Sequence, residues 1–188
     1  EFLIKHEHLG FRESVRVVAD RFGIVLPESF LDRNDSIKDT QLDLQASFLS
    51  DLNAYFQQQL SDSVPVKKYC EERGLHKDTI QLYGLGFAPD AAAQKRWIQT
   101  NQHDKSIYQA TGLFKEDGYA LLQQRLIFPI LNMKGRLMGF SGRVISNQTT
   151  APKYINSPES QLFNKRRLLY GMHLAKESIR KSKSMIIV

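Results

Sequence analysis

One cysteine, Cys70, stands among the 188 residues. A single thiol excludes an intrachain disulfide framework and a zinc ribbon built from this chain's own cysteines. It suits a cytoplasmic protein. No apolar run approaches the ~20 residues that a membrane-spanning helix needs, so no membrane association is expected. The start, Glu1-Phe2-Leu3-Ile4-Lys5-His6, lacks the basic opening and long apolar core of a signal peptide. Catalytic signatures are missing too. There is no glycine-rich phosphate loop ending in Gly-Lys-Ser/Thr and no Gly-x-Ser-x-Gly nucleophile elbow. His6 and His8 could share one face of a strand, but no third ligand stands near them, and surface histidines are the expectation. Asp32 with Asp35, and Asp39 with Asp43, lie in or beside a polar stretch and read as solvated charges. The residues themselves therefore nominate no catalytic group and no metal ligand.

Acids are scarce in one region only. Residues 125–188 hold twelve of the 26 lysines and arginines against two acids, Glu159 and Glu177, a net of +10, while residues 1–124 net −4. Such asymmetry points to a polyanionic partner. It also suits a solvated surface facing an acidic neighbouring domain.

The pattern along the chain is mostly helical at first. Phe11, Val15, Val18 and Phe22 recur at helical spacing, and Pro27 with the polar stretch 32–36 reads as a linker. A longer amphipathic helix follows from Leu42 to Leu60. Ser63 and Pro65 sit at a cap and first turn, with Gly74 as a stop, which predicts a short helix over 65–73. Further short helices are expected over 78–83, broken at Gly84 and Gly86, and twice within 92–112. The texture then changes. Residues 125–130 and 137–140 read as strands joined by a hairpin at 132–135. Pro129 marks the first of them as an edge or bulged strand. A helix is expected over 169–181. The apolar run Met185-Ile186-Ile187-Val188 reads as the start of a buried strand.

The basic third interleaves its charges with aromatics and glycines. Gly139-Phe140-Ser141-Gly142-Arg143 flanks an arginine with small residues, which let a backbone approach a ligand. A guanidinium can fork onto phosphate or stack on a base. Pro152-Lys153-Tyr154-Ile155-Asn156-Ser157-Pro158 holds a lysine and a tyrosine between prolines, the pairing single-strand binders use. Phe163-Asn164-Lys165-Arg166-Arg167 adds three bases after an aromatic. The alternative is that Phe140, Tyr154 and Phe163 belong to a core and the bases to solvent.

These same stretches resemble bacterial DNA primases of the DnaG type. Residues 125–130 and 135–143 are similar to the family's R-x-x-F-P-I and G-R-x-x-G-F-G-G-R. Residues 152–159 resemble its P-K-Y-x-N-S-P-E, and 162–171 its F-x-K and L-Y-G. Tyr69-Cys70-Glu71-Glu72-Arg73-Gly74-Leu75 and Gly86-Phe87-Ala88-Pro89 resemble its Y-L-x-x-R-G-L and G-F-A-P. Ser141 departs from a family glycine, and Arg166 adds a charge where many members have glycine.

The resemblance implies a mixed α/β (α+β) fold: the N-terminal subdomain of the primase catalytic core, truncated at the first strand of a TOPRIM fold. It divides the chain into a helical zinc-domain tail (1–28), a linker and helix (29–62), the RNA-polymerase N-terminal subdomain (63–183) and the first TOPRIM strand (184–188). It implies a template-holding role for Arg73, Arg143, Lys153, Tyr154 and Lys165, with no catalytic residue and no metal ligand in this stretch. For the whole protein it implies RNA primer synthesis on single-stranded DNA from nucleoside triphosphates, with zinc, with magnesium or manganese, and with a replicative helicase as partner through a further domain, in the bacterial cytoplasm at the nucleoid. The stretch alone is expected to lack polymerase activity. A non-enzymatic single-strand-binding or protein-interaction module on a similar fold is the other reading. A nuclease or topoisomerase sharing the metal fold is disfavoured by the P-K-Y and G-F-A-P blocks.

Overall fold

The structure, a computed structural model, describes residues 11–26, 33–146 and 150–186. It falls into two compact units, residues 1–41 and 42–188. The first unit contains α1 (Phe11–Phe22), closed by Gly23 in the left-handed region at φ +64°, with the Ile24 N–H returning to the Ala19 carbonyl at 2.8 Å. His6, His8, Pro27 and Asp32 lie outside the described residues.

Helix α2 (Arg33–Asp62) begins earlier than its apolar pattern does. The polar stretch expected as a linker is helical from Arg33 onward. The physical reason is that no glycine or proline interrupts residues 33–62, and polar residues of ordinary helix propensity continue a helix that packing has nucleated further along. From Leu42 onward α2 belongs to the second unit and forms its spine. Leu49, Leu52, Phe56 and Leu60 follow one another at helical spacing and are all buried. Each such side chain contributes about 1.5–3 kcal/mol through the surface it removes from water.

Two short helices follow, α3 (Val64–Glu72) with Pro65 in its first turn and α4 (Lys77–Tyr83), stopped by Gly84 in the left-handed region. Strand β1 (Gly86–Ala88) comes next. Helices α5 (Ala91–Thr100) and α6 (Lys105–Ala110) are each capped by an aspartate, Asp90 and Asp104, whose side chain accepts a backbone N–H of the first turn. Strands β2 (Arg125–Leu131), β3 (Leu137–Val144) and β4 (Tyr154–Asn156) complete an antiparallel sheet in the order β1-β2-β3-β4. A 3-10 turn at Lys165–Arg167 and helix α7 (Met172–Ser182) end the described chain. Helix α7 starts after Gly171, which takes φ +74°, three residues later than its sequence pattern suggests. Met185 and Ile186 lie in no strand, and Ile187 and Val188 fall outside the described residues.

Strand β2 is internal, not an edge, yet Pro129 breaks no rule. Strand β1 pairs only with residues 125–127, so from Phe128 onward β2 bonds to β3 alone. Proline, which lacks an N–H, is tolerated where one side of a strand is open. A register shift follows at Ile130/Leu131.

The two faces of the sheet meet different partners. Ile127 and Phe140 join Phe56 of α2 in the main core, with the Phe56 and Phe140 rings edge-to-face at 5.7 Å. On the opposite face Leu126 and Phe87 pack with Val66 and Cys70 of α3 and with Ile80 of α4. Helices α3 and α4 thus cover the β1–β2 half of that face. Among the described residues, no helix packs in these apolar clusters against the β3–β4 half, which carries Ser141, Arg143, Tyr154 and Asn156 in register.

Candidate nucleic-acid interface

The uncovered half-sheet is one wall of a groove of about 350 Å³ lined by Phe128, Ser141, Tyr154, Asn156, Lys165 and Tyr170 among others. Strand periodicity puts the first four there. Phe128 pairs with Ser141 and Ser141 with Asn156 in register, so all three project to the same face. The 3-10 turn supplies Lys165 and the turn just before α7 supplies Tyr170.

Arg143 and Tyr154 face each other across the β3–β4 pair. The Arg143 Nη1 donates to the Tyr154 hydroxyl at 3.0 Å, and its guanidinium carbon lies 5.5 Å from the tyrosine ring centroid. Tyr154 is nonetheless 50% exposed, so its ring offers a face to a ligand. Tyr170 stacks on Tyr83, centroids 6.0 Å apart, and meets Phe128 edge-on at 6.4 Å. Burial, reinforced by the facing Tyr83 hydroxyl, pushes its own hydroxyl up to about 12. It is therefore neutral at any working pH. Lys165 is exposed, and its backbone N–H donates to Glu159 Oε1 at 3.2 Å. The neighbouring Arg166 N–H donates to the Asn164 side chain at 3.0 Å, which fixes the turn that carries three consecutive bases.

Of the five residues singled out in the sequence, Tyr154 and Lys165 line one groove, and Arg143 stands next to it through its hydrogen bond to the Tyr154 hydroxyl. Lys153, next to Tyr154 in the chain, is exposed and does not line that groove. Arg73 stands apart from it, at the end of α3, its guanidinium 5.4 Å from the Tyr69 ring centroid. Tyr69 lines a wider groove of about 810 Å³ together with Lys68, Tyr119, Gln124 and Arg125.

Several residues took other roles than their patterns suggested. Phe140 and Phe163 are core, 0% and 2% exposed, whereas Tyr154 is not. The glycines of Gly139-Phe140-Ser141-Gly142 serve packing within the chain. A Cβ at 139 would lie 2.8 Å from the Phe163 ring, and one at 142 would lie 3.0 Å from Arg125 Cδ. Two of the twelve bases in the positive third are structural. Arg136 pairs with Asp43 at 2.7 Å and donates to the Leu42 carbonyl at 2.9 Å, while the Asp43 side chain stays 70% exposed. Arg125 is buried. Phe128, Asn156 and Tyr170 were not singled out in the sequence. Asn156 stands two residues after Tyr154, and a period of two would have placed it on the same face had β4 been legible as a strand.

An exposed tyrosine with an arginine on it, flanked by lysine and further aromatics in an open basic groove, is chemistry suited to a polyanion that also carries flat rings. The comparisons with known proteins agree with that class. Residues 55–176 match the model of the DNA primase catalytic core, N-terminal domain, and the chain belongs to that family. It is 31% identical over 195 residues to the DNA primase of Escherichia coli strain K12 and 32% identical over 196 residues to that of Salmonella typhimurium. Both alignments take in the whole chain but 33% of the relative, so the chain spans about a third of the length of these proteins. Among solved structures it resembles the zinc-binding and RNA polymerase domains of the Aquifex aeolicus primase. That match has 26% identity and a TM-score of 0.70, over 96% of this chain and 43% of the other. It also resembles a DnaG primase catalytic domain bound to single-stranded DNA, at 30% identity and TM-score 0.63, over 74% of this chain and 45% of that one. The mixed α/β fold is that of the primase catalytic core.

Among the described residues no three of His, Cys, Asp and Glu come together as a metal site. Nor is any helix of the described residues long and apolar enough to cross a membrane.

Proposed function

We propose that this chain is the template-holding part of a DNA primase, gripping single-stranded DNA in the groove around Tyr154 and Lys165, with Arg143 beside it, while another part of the protein, which would hold the metal ions, joins ribonucleotides into a primer. The observation that carries this reading is the groove that Tyr154 and Lys165 line together, with Arg143 hydrogen-bonded to Tyr154 beside it. The primase catalytic domain solved with single-stranded DNA supports it by its similarity to this chain. In this reading Lys165 attracts phosphate, Tyr154 stacks on a base, and Arg143 holds the tyrosine ring while adding charge. Arg73 and Lys153 extend the basic track beyond the groove. The division into zinc-domain tail, linker, polymerase subdomain and first TOPRIM strand belongs to the same proposal. So do primer synthesis from nucleoside triphosphates by the whole protein, the helicase partner, and cytoplasmic location at the nucleoid. Zinc and magnesium or manganese would be held by other parts of the protein, because the described residues here do not fit a metal. No step assigned to this chain runs through one, and the chain alone makes no primers.

Fluorescence anisotropy with a labelled single-stranded oligonucleotide at several salt concentrations tests the grip. Lys165→Ala is expected to weaken binding to all sequences alike and to lower the salt slope by about 0.7, one phosphate contact's worth. Tyr154→Ala is expected to cost about 1–3 kcal/mol with an unchanged slope, as loss of a stacked base does. Lys181→Ala and Lys183→Ala, outside the groove, serve as controls. If the folded Lys165 variant binds no worse than these controls, the groove is not where the strand lies.

A further inference from the structure

Arg125 is the least expected of the basic residues. It is 4% exposed, yet among the described residues no carboxylate pairs with it. Its Nη1 instead donates to three carbonyl oxygens, those of Gly142 at 3.2 Å, Pro152 at 2.9 Å and Lys153 at 3.4 Å. The first belongs to β3 and the other two to the segment that leads into β4, so one side chain rooted in β2 reaches across β3 to the next strand.

That segment needs the help. Strand β4 is three residues long, and its ladder holds only the pairs Ser141–Asn156, Gly142–Ile155 and Arg143–Tyr154. Just before it, the Val144 N–H donates to the Lys153 carbonyl at 3.0 Å, an oxygen that Arg125 also reaches. A short edge strand beginning after a proline has few backbone bonds to fix its start, and a charged donor makes stronger bonds than a neutral one. Room for the guanidinium comes from Gly142. A Cβ there would sit 3.0 Å from both Arg125 Cδ and Leu122 Cδ2. The arginine that opens β2, the glycine that precedes Arg143, and the Pro-Lys-Tyr segment are thus one contact set.

We infer that Arg125 is a positioning residue for the nucleic-acid groove, setting the start of β4 so that the Tyr154 ring stands opposite Arg143. This rests on the template-holding reading above. The clamp touches no ligand and acts only by fixing the backbone at the start of β4, and with it the Tyr154 ring. A buried arginine stays protonated, so the clamp holds at every working pH. All three bonds come from the one nitrogen Nη1 at the end of the long, planar guanidinium arm, and the shorter lysine cannot place its ammonium there, so Arg125→Lys keeps the charge and loses the geometry.

The test is a double-variant cycle on the 188-residue chain, read by anisotropy with a labelled single-stranded oligonucleotide and with folding checked by thermal melt. Arg125→Lys is expected to weaken binding about fivefold, the scale of coupling within one hydrogen-bond network. Its salt slope should not change, because no phosphate contact is lost. In a Tyr154→Ala background the same substitution should have no further effect, whereas in a Lys165→Ala background its effect should be undiminished. Normal binding by the folded Arg125→Lys chain, full additivity with Tyr154→Ala, or a slope lowered as by a lost phosphate contact would each overturn the inference. If Arg125→Lys does not fold, Gly142→Ala replaces it, since it crowds the clamp and leaves the charge. The same loss is expected there, and unchanged binding overturns the proposal. If Tyr154→Ala and Lys165→Ala themselves bind normally, it is the template-holding reading that fails. Amide hydrogen exchange at Val144, whose N–H donates to the Lys153 carbonyl, then decides the clamp, with faster exchange in the Arg125 or Gly142 variant supporting it and unchanged exchange overturning it.

Discussion

Phe140→Ala will destabilise the sheet unit by about 3–5 kcal/mol, the cost of deleting a fully buried aromatic from a core that cannot collapse around the space. Phe140 is 0% exposed and lies on the central strand β3, edge-to-face with Phe56 of α2. Both of its backbone groups are held by Ser157. Its N–H donates to Ser157 Oγ at 2.8 Å and its carbonyl accepts from the Ser157 N–H at 2.8 Å. The backbone around the deletion is therefore pinned and cannot move in to fill it. Urea unfolding should show a lower midpoint with little change in slope. Tyr154→Ala in the same assay should shift stability by less than about 1 kcal/mol, because that ring is half in solvent. Equal losses for the two would mean that the sheet faces are wrongly assigned.

Gly86→Ala will destabilise the unit by at least about 1–3 kcal/mol, the usual cost of overpacking. A Cβ at this position would stand 2.6 Å from Phe56 Cβ, 2.8 Å from the Phe56 carbonyl carbon and 3.0 Å from the Gln57 nitrogen. These atoms belong to the backbone and stem of α2, not to a flexible side-chain end, so β1 must move off the helix. Gly135→Ala is the comparison. It has nothing within 4 Å, but φ is +82°, so it carries only the cost of a left-handed alanine, about 1–2 kcal/mol. Thermal or urea denaturation of both variants ranks them. A Gly86→Ala chain as stable as Gly135→Ala would show that β1 is not pressed against α2.

The Gly84–Gly86 pair also shows why part of the fold was legible in the sequence and part was not. Both glycines read as helix breakers. Gly84 is one, ending α4 in the left-handed region. Gly86 is a strand residue required by contact with a helix some thirty positions earlier, and no local pattern carries that information. Strands β2 and β3 were legible because seven and eight residues suffice for β-branched and apolar periodicity to register. Strands β1 and β4, three residues each, are too short for any period. Pro129 was read correctly as a constraint, but its resolution depends on how short its neighbour β1 is.

The groove follows the same division. Arg143, Tyr154 and Lys165 stood out because residue type and motif coincide at those positions. Net charge misled at Arg125 and Arg136, since a count of bases cannot tell a solvated cation from one bonded to carbonyls or to Asp43. Phe128 and Tyr170 escaped notice because an aromatic in an apolar run reads as core until the sheet shows which half of its face is bare.

The central claim is that single-stranded DNA lies in the groove between the β3–β4 half-sheet and the turn at Lys165. The most direct measurement is photocrosslinking of the chain to a single-stranded oligonucleotide carrying a photoreactive base, with the linked peptides identified by mass spectrometry. The account predicts crosslinks at the exposed aromatics of the groove, Tyr154 and Tyr170, suppressed by competing unlabelled strand and by high salt. Crosslinks confined to the basic end of α7 around Lys181, or to α2, with none at Tyr154 or Tyr170, would contradict it.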